Sequence, residues 1–303
     1  MNRKQLATFA ALIGNGIFGF SFMFSRMALD VASPFVMLMY RFIIAFAAIN
    51  VVALWANRRR KGGEGDWLRF SLRGKQTAPL IALGVVQPVA YFLCESYGIS
   101  LTNSVLSGVI IALVPIVALA FGALFLGEKP RRAQVAWSAL SIAGVIVMTM
   151  QQSSGGSIHP LGVVLLFGAV LTGVLFNVIS RKTADMFSAL ERTYVMMMVA
   201  AVAFTALAVL ECRGDVRALL VPLASGRFLG AMIYLSLASS ITAFLLLNFA
   251  NGELPVGKVT AFCNLTTVIS VFAGVIFLGE PFTALSLAAS AVIILGVWGV
   301  QKA

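Results

Sequence analysis

Arg41 and Glu95 are the charged side chains that fall inside otherwise apolar stretches of this chain. An ionised group in hydrocarbon is costly and marks an ion path, a proton relay, a gate or a ligand's counter-charge. Counted inward at 1.5 Å per residue, each lies about 9–10 Å below the outer end of its helix. Matched depth predicts a structural or gating ion pair near the outer mouth; the alternative makes Glu95 a coupling proton site. Uncharged polar residues accompany them. Asn15, Ser21, Gln87, Tyr91, Tyr97, Asn177, Asn248, Asn251 and Asn264 are the candidate substrate contacts. Ser107, Thr172, Tyr194, Tyr234, Thr260 and Thr267 extend the set. Amides and hydroxyls beside apolar walls suit a small zwitterion, whose charged groups need polar partners and whose side chain needs a dry surface. Each amide is equally able to bridge two helices.

Other motifs carry less. Gly14-Asn15-Gly16-Ile17-Phe18-Gly19 spells G-x-G-x-x-G, but a dinucleotide site needs a preceding strand. Inside an apolar helix, small residues at this spacing serve close packing. Gly252–Lys258 falls one residue short of a phosphate-binding loop and lacks its Ser or Thr, so Lys258 reads as an anchor at a membrane face. His159, the single histidine, stands in a loop with no second ligand or base. Cys94, Cys212 and Cys263 have neither metal nor disulfide spacing and read as small hydrophobes. No metal, no cofactor and no enzymatic activity are expected.

The elements that hold these residues are set by composition. Of 303 residues, 60% are hydrophobic and 11% charged; mean hydropathy is +0.98. A soluble fold lacks the interior to hide that much apolar surface. Residues 5–25, 76–94, 96–127, 133–180, 193–210, 228–252, 259–279 and 281–301 contain no Asp, Glu, Lys or Arg. A span needs roughly 20 apolar residues. The long runs break near Gly98–Ser104 and at 151–160. The predicted fold is all-α, a polytopic membrane protein of ten helices near 6–26, 34–56, 77–99, 103–126, 132–150, 160–181, 190–210, 228–250, 256–278 and 282–300. The apolar stretch behind Asn2-Arg3-Lys4 is too long for a cleaved signal and reads as the first of them.

With the N-terminus inside, the 22 Lys and Arg fall on the inner face, except Arg213, Arg217 and Arg227 outside and Arg26 and Arg41 within or at the ends of spans. That is the positive-inside bias with both termini cytoplasmic. The formal charge of +11 therefore marks orientation and contact with the lipid bilayer, not nucleic acid. Arg26/Asp30 and Arg181/Asp185 stand four apart near helix ends, as paired anchors do.

The sequence repeats itself. Leu126-Gly127-Glu128 returns as Leu278-Gly279-Glu280, and Ser25-Arg26 with Asp30 returns as Ser180-Arg181 with Asp185. The units are residues 1–152 and 153–303, five helices each. Five is odd, so the second unit enters the membrane from the opposite side, as in the inverted repeats of secondary transporters. Each Leu-Gly-Glu is expected to close a helix on a left-handed glycine, with Glu at the start of the next helix, where the dipole favours an anion. Helices 5 and 10 carry closely spaced Ala, Gly and Ser and should lie outside a cavity formed by helices 1, 3, 4, 6, 8 and 9. Pro88 and Pro115 permit breaks in helices 3 and 4. Their counterparts, Ser240 and Thr267, predict no matching breaks in the second unit.

The duplicated turn and the five-plus-five layout resemble the drug/metabolite transporter superfamily over essentially the whole chain. More narrowly the chain resembles its EamA-type members, with the size and polar pattern of YddG-type amino-acid exporters. The resemblance implies an export carrier with a central cavity between halves. The first helix has no acid before Asp30, which departs from the small multidrug-resistance relatives and argues against their proton-coupled antiport of hydrophobic cations. Arg41 and Lys258 are few for the phosphate dianion that sugar-phosphate translocators hold. The expected cargo is a small zwitterionic metabolite, an amino acid first. Nucleotide sugars or drugs are the alternative cargo, and an intramembrane enzyme or sensor is the alternative class. A monomer in a bacterial inner membrane is the expected working form.

Overall fold

A computed structural model describes residues 2–58, 67–101, 110–150, 159–213, 215–278 and 283–303. The apolar runs become helices. α1 is Arg3–Leu29 and α2 Pro34–Arg58. α3 runs Ala78–Gly84, passes through a π-helical turn at Val85–Ala90 that is kinked at Gln87, and continues as Tyr91–Ser100. α4 is Val114–Leu126, α5 Arg132–Met150, α6 Pro160–Thr183 and α7 Ala189–Glu211. α8 joins Gly226–Ile233, a π-helical stretch at Tyr234–Ala243, and Phe244–Glu253. α9 is Val256–Ala261 followed by Cys263–Leu278, and α10 is Ala284–Lys302. Among the described residues seven helices are long and apolar enough to cross a membrane, and three apolar helices are shorter: Val114–Leu126, Arg132–Val147 and Val256–Ile269.

Local chemistry sets the ends. Ser188 and Glu191 form a reciprocal capping box at the start of α7, each satisfying an amide that the helix cannot. Thr283 caps α10 through the Ser286 amide. Gly127 ends α4 at φ 66°, and the Glu128 amide donates to the Gly122 carbonyl at 3.1 Å. This is the expected left-handed stop. Its repeat at Gly279-Glu280 lies outside the described residues, as do the predicted start of α4 at 103 and Ser107.

The helix ends sort onto two faces. On one, Arg3 Nε donates to Glu253 Oε1 at 2.8 Å, Lys75 Nζ lies 2.8 Å from Glu191 Oε2, and Lys258 Nζ donates to the Gln301 carbonyl at 2.9 Å. On the other, the Ser33 hydroxyl donates to Glu211, and Tyr40 Oη donates to the Leu219 carbonyl at 2.9 Å. His159 caps α6 with Nδ1, while its amide donates to the Leu101 carbonyl at 2.9 Å. The first is called the basic face here and the second the opposite face.

α5 and α10 pack antiparallel along their length. A Cβ placed on Gly144 would lie 3.0 Å from the Ala289 carbonyl oxygen and 3.1 Å from Ile293 N. One placed on Gly296 would lie 2.8 Å from the Trp137 carbonyl oxygen and 2.8 Å from Ser141 N. Exchanging each residue for the one 152 positions away in the other unit, the separation of Ser141 and Ile293, converts the first pair of backbone contacts into the second. Small residues here let backbones meet. The G-x-G-x-x-G stretch does similar work: Gly14 faces the Ala243 carbonyl of α8, and Gly19 faces Thr266 and Ile269 of α9.

The breaks correct one expectation. The kinked turn around Pro88 in α3, where Gln87 is extended, stands where α8 has a π-helical stretch around Ser240, so both helices are irregular at this level though not in the same conformation. The turn at residues 112–113 before α4 corresponds to the break near 262 in α9. The second unit lacks the prolines but has the irregularities. Serine hydroxyls and a wider helical turn can unlatch a helix in hydrocarbon where no proline does.

Candidate functional site

The predicted residues gather in two clusters and leave several elsewhere. The first cluster joins α2, α3 and α8. Arg41 is 2% exposed. Its Nε donates to Ser240 Oγ and its Nη2 to Ser239 Oγ, both at 2.8 Å. The guanidinium carbon lies 4.9 Å from the centre of the Phe92 ring and 5.4 Å from that of Phe42, within cation–π range. Tyr91 meets Phe92 edge to face at 5.5 Å and donates its hydroxyl to Glu95 Oε1 at 2.8 Å. Among the described residues no ion pair within 4.0 Å joins Arg41 to Glu95. The expectation of a direct pair is therefore corrected. Two hydroxyls that the π-helical stretch turns toward α2 hold the cation, and a phenol one turn away holds the anion. Gln87 lies in the π-helical turn below Tyr91, with φ −145° and ψ 125°. Its Oε1 is buried with no hydrogen-bond partner among the described residues.

The second cluster lies near the basic face, between α6, α7 and α8. Asn251 Nδ2 donates to Asn177 Oδ1 at 2.9 Å. Asn248 Nδ2 donates to Thr193 Oγ1 at 2.9 Å, and its Oδ1 accepts from Ser180 Oγ at 2.7 Å. Arg192 Nη1 donates to the Ser180 hydroxyl at 2.8 Å and to the Ser180 carbonyl. All six are buried. Asn251 Oδ1 is buried with no hydrogen-bond partner among the described residues; the other bonds tie α6, α7 and α8 together near the basic face, as buried polar networks do.

The remaining candidates take structural partners. Asn15 Nδ2 donates to the Ala11 carbonyl at 2.8 Å and Ser21 Oγ to the Ile17 carbonyl at 2.9 Å, each within α1. Tyr234 Oη also donates to Ile17 at 2.9 Å and stacks on Phe24 at 4.1 Å. Asn264 Nδ2 donates to Ser141 Oγ at 3.1 Å, tying α9 to α5 rather than lining a space. Tyr97 is exposed toward the opposite face, its ring 5.9 Å from Phe35.

Over the basic face, residues 67–77 bind the start of α7. Glu191, 1% exposed at its side chain, accepts from Lys75 Nζ, from the Ser71 amide at 2.7 Å and from the Ser188 amide at 2.9 Å. Trp67 packs on Phe249 at 5.0 Å, and Phe70 on Tyr194 at 4.9 Å. Nearby, Glu128 Oε2 accepts from the Val256 amide at 2.9 Å, and Arg181 Nε lies 3.7 Å from Glu128 Oε1. Glu128 therefore caps α9 rather than the helix that follows it, and Arg181 turns to Glu128 rather than to Asp185. Burial pushes the Glu128 carboxyl up, while the Val256 amide and Arg181 pull it down. Glu128 and Arg181, with Lys182, Asp185, Phe125 and Leu126, line a polar cleft of about 410 Å³. Because this contact is half open to water, Glu128→Gln is expected to lower stability by less than about 1 kcal/mol, measured by thermal unfolding in detergent.

Sequence reading missed Ser239, Ser240, Ser180, Thr193 and Glu191. The S-x-x-E spacing of Ser188 and Glu191 was the available signal for the last. The serines at 236–240 carried a weaker one, standing where the first unit has Pro88. No group of three or more His, Cys, Asp or Glu able to hold a metal occurs among the described residues.

Comparison with known proteins gives a consistent result. The EamA-like transporter family matches this chain twice, over residues 5–150 and 160–301. A Bacillus subtilis (strain 168) protein named uncharacterized transporter YcxC is 30% identical over 301 residues, 98% of this chain and 93% of that one. A probable terminal-alkyne amino-acid exporter of Streptantibioticus cattleyicolor is 27% identical over 226 residues, 74% of this chain and 73% of that one. One crystal structure at 20% identity superposes with a TM-score of 0.76 over 98% of this chain and 96% of its own, a likeness of fold.

Proposed function

From the premise that this chain belongs to the EamA-like transporter family, we propose that it is a secondary carrier exporting or facilitating passage of small zwitterionic metabolites, amino acids first among them. Ten membrane helices form two inverted units of five, and the cargo passes between them by alternating access. The observation that carries the reading is the α5–α10 seam. Its contacts at Gly144 and Gly296 exchange under a shift of 152 residues. A two-fold axis relating antiparallel helices lies across them, hence in the membrane plane, which is the symmetry an inverted repeat requires. Helix irregularities at corresponding levels of α3 and α8 support it further. Two related units with matched breaks can exchange shapes, and that exchange opens a central site to either side.

The lining supports the cargo. Aromatic rings, amides and hydroxyls surround one buried cation and one carboxylate. The Streptantibioticus relative, by its name, exports an amino acid. A bacterial inner membrane, with the basic face and both termini cytoplasmic, fits the charge bias, and a monomer contains every part the mechanism uses. The test is uptake by proteoliposomes offered labelled neutral, aromatic and basic amino acids, with and without a pH gradient. Saturable flux indifferent to the gradient is expected. Flux that needs the gradient and is lost in Glu95→Gln would make Glu95 a coupling site. Folded protein that moves no amino acid would overturn the cargo and favour nucleotide sugars or drugs.

A further inference from the structure

We propose that Arg41 and Glu95 are the two poles of the substrate site, Arg41 taking the carboxylate and Glu95 the ammonium of one zwitterion that spans the gap between them. The assignment rests on the transport reading above and adds the groups that make it selective. A buried guanidinium ordinarily has a carboxylate or a full set of acceptors, because an uncompensated charge is costly away from water. Arg41 has neither. Two neutral serine hydroxyls hold its Nε and Nη2, and Nη1 has no hydrogen-bond partner among the described residues. Glu95 has one side-chain partner, the Tyr91 hydroxyl, which leaves Oε2 and the outer lone pairs unused. A chain of contacts links the two charges: the guanidinium lies 4.9 Å from the Phe92 ring, Phe92 meets Tyr91 edge to face at 5.5 Å, and the Tyr91 hydroxyl donates to Glu95 at 2.8 Å. A ligand carrying a carboxylate at one end and an ammonium at the other satisfies both at once.

The surroundings point to the rest of the ligand. Phe42, Phe92 and Tyr91 stand around the charges, so the side chain of the zwitterion meets aromatic faces and an apolar or aromatic one fits best. Arg41 is also bonded to the π-helical stretch of α8, while Glu95 stands above that of α3. A ligand bridging the two would clamp one irregular helix of each unit, which is where a conformational exchange must be sensed.

The experiment compares three ligands of one skeleton in proteoliposomes: phenylalanine, its amide, which lacks the carboxylate, and phenyllactate, which lacks the ammonium. The intact protein is expected to move phenylalanine with a KM at least tenfold below either analogue. Arg41→Gln should raise the phenylalanine KM at least tenfold and leave the amide unchanged. Glu95→Gln, which keeps an acceptor for Tyr91, should raise it similarly and leave phenyllactate unchanged. Thermal unfolding in detergent gives a second reading: phenylalanine should raise the Tm of the intact protein and of neither variant. Folded variants with a phenylalanine KM within twofold of the intact protein overturn the assignment, and so does an equal loss for all three ligands, which is what a structural role produces. If Arg41→Gln does not fold, the discrimination among ligands by the intact protein decides: equal KM for phenylalanine and its amide overturns the role of Arg41. Neither flux nor Tm shift with any amino acid overturns the transport reading itself, whereas flux with unaltered variants overturns the assignment alone.

Discussion

Glu191→Ala is expected to lower stability by about 3 kcal/mol and to release residues 67–77 from the basic face. The carboxylate is 1% exposed and accepts from Lys75 and from the Ser71 and Ser188 amides. Removing one partner of a buried pair typically costs about 3–5 kcal/mol, because the groups left behind lose their solvation twice. Lys75 is one-third exposed and recovers some hydration, which places the effect at the lower end. The bond from the Ser188 amide, the Glu191 half of the capping box, is part of that loss, whereas Ser188 Oγ still caps the residue-191 amide. Glu191→Gln keeps one acceptor oxygen and should cost about half as much. Thermal unfolding in detergent measures the loss. Protease cleavage between Trp67 and Lys75 should become fast in the alanine variant and stay slow in Glu128→Gln. A loss below about 1 kcal/mol would mean that Trp67 on Phe249 and Phe70 on Tyr194 hold the segment without the carboxylate.

How much of this was legible in the sequence depends on what kind of force sets each feature. The helices were readable almost to their ends, because the absence of charge over about 20 residues is a signal that hydrocarbon enforces. The Gly127 stop was readable because a left-handed cap favours glycine. The partners were not. Asn248 and Asn264 look alike in sequence, yet one bonds to Ser180 and Thr193 while the other bonds to Ser141 on α5. Which amide meets which hydroxyl depends on helix rotation, and periodicity does not fix that when a helix is apolar all round. The matched depths of Arg41 and Glu95 suggested a direct pair, and the structure gives each a different partner. Depth alone could not reveal that Ser239 and Ser240 would take the guanidinium, because their presentation depends on the π-helical stretch of α8. The packing role given to α5 and α10 followed from small residues at close spacing and needed no such detail.

Gly144→Ala and Gly296→Ala should each cost about 3 kcal/mol, and by nearly equal amounts. In both cases the new methyl would stand 2.6–3.1 Å from a neighbour, including the backbone at Ala289 and Ile293 or at Trp137 and Ser141. A side chain can rotate away from such a clash, but a helix backbone must translate, and overpacking of a tight seam typically costs about 1–3 kcal/mol. The upper end is expected because backbone atoms carry the contact. Ala is otherwise the better helix former by about 1 kcal/mol, so Gly230→Ala, with nothing near its Cβ position, should be neutral or stabilising and serves as the control. The double variant Gly144→Ala with Gly296→Ala should cost less than the sum, since the first methyl already parts the helices that the second would part. Non-additivity of this kind distinguishes one shared seam from two independent defects. Strictly additive losses, or one glycine tolerating the methyl while the other does not, would mean that the two contacts are separate and that the exchange of positions by 152 residues has no energetic counterpart. Equal and non-additive losses would give the two-fold relation a thermodynamic signature, and that relation is what the transport mechanism requires of the pair.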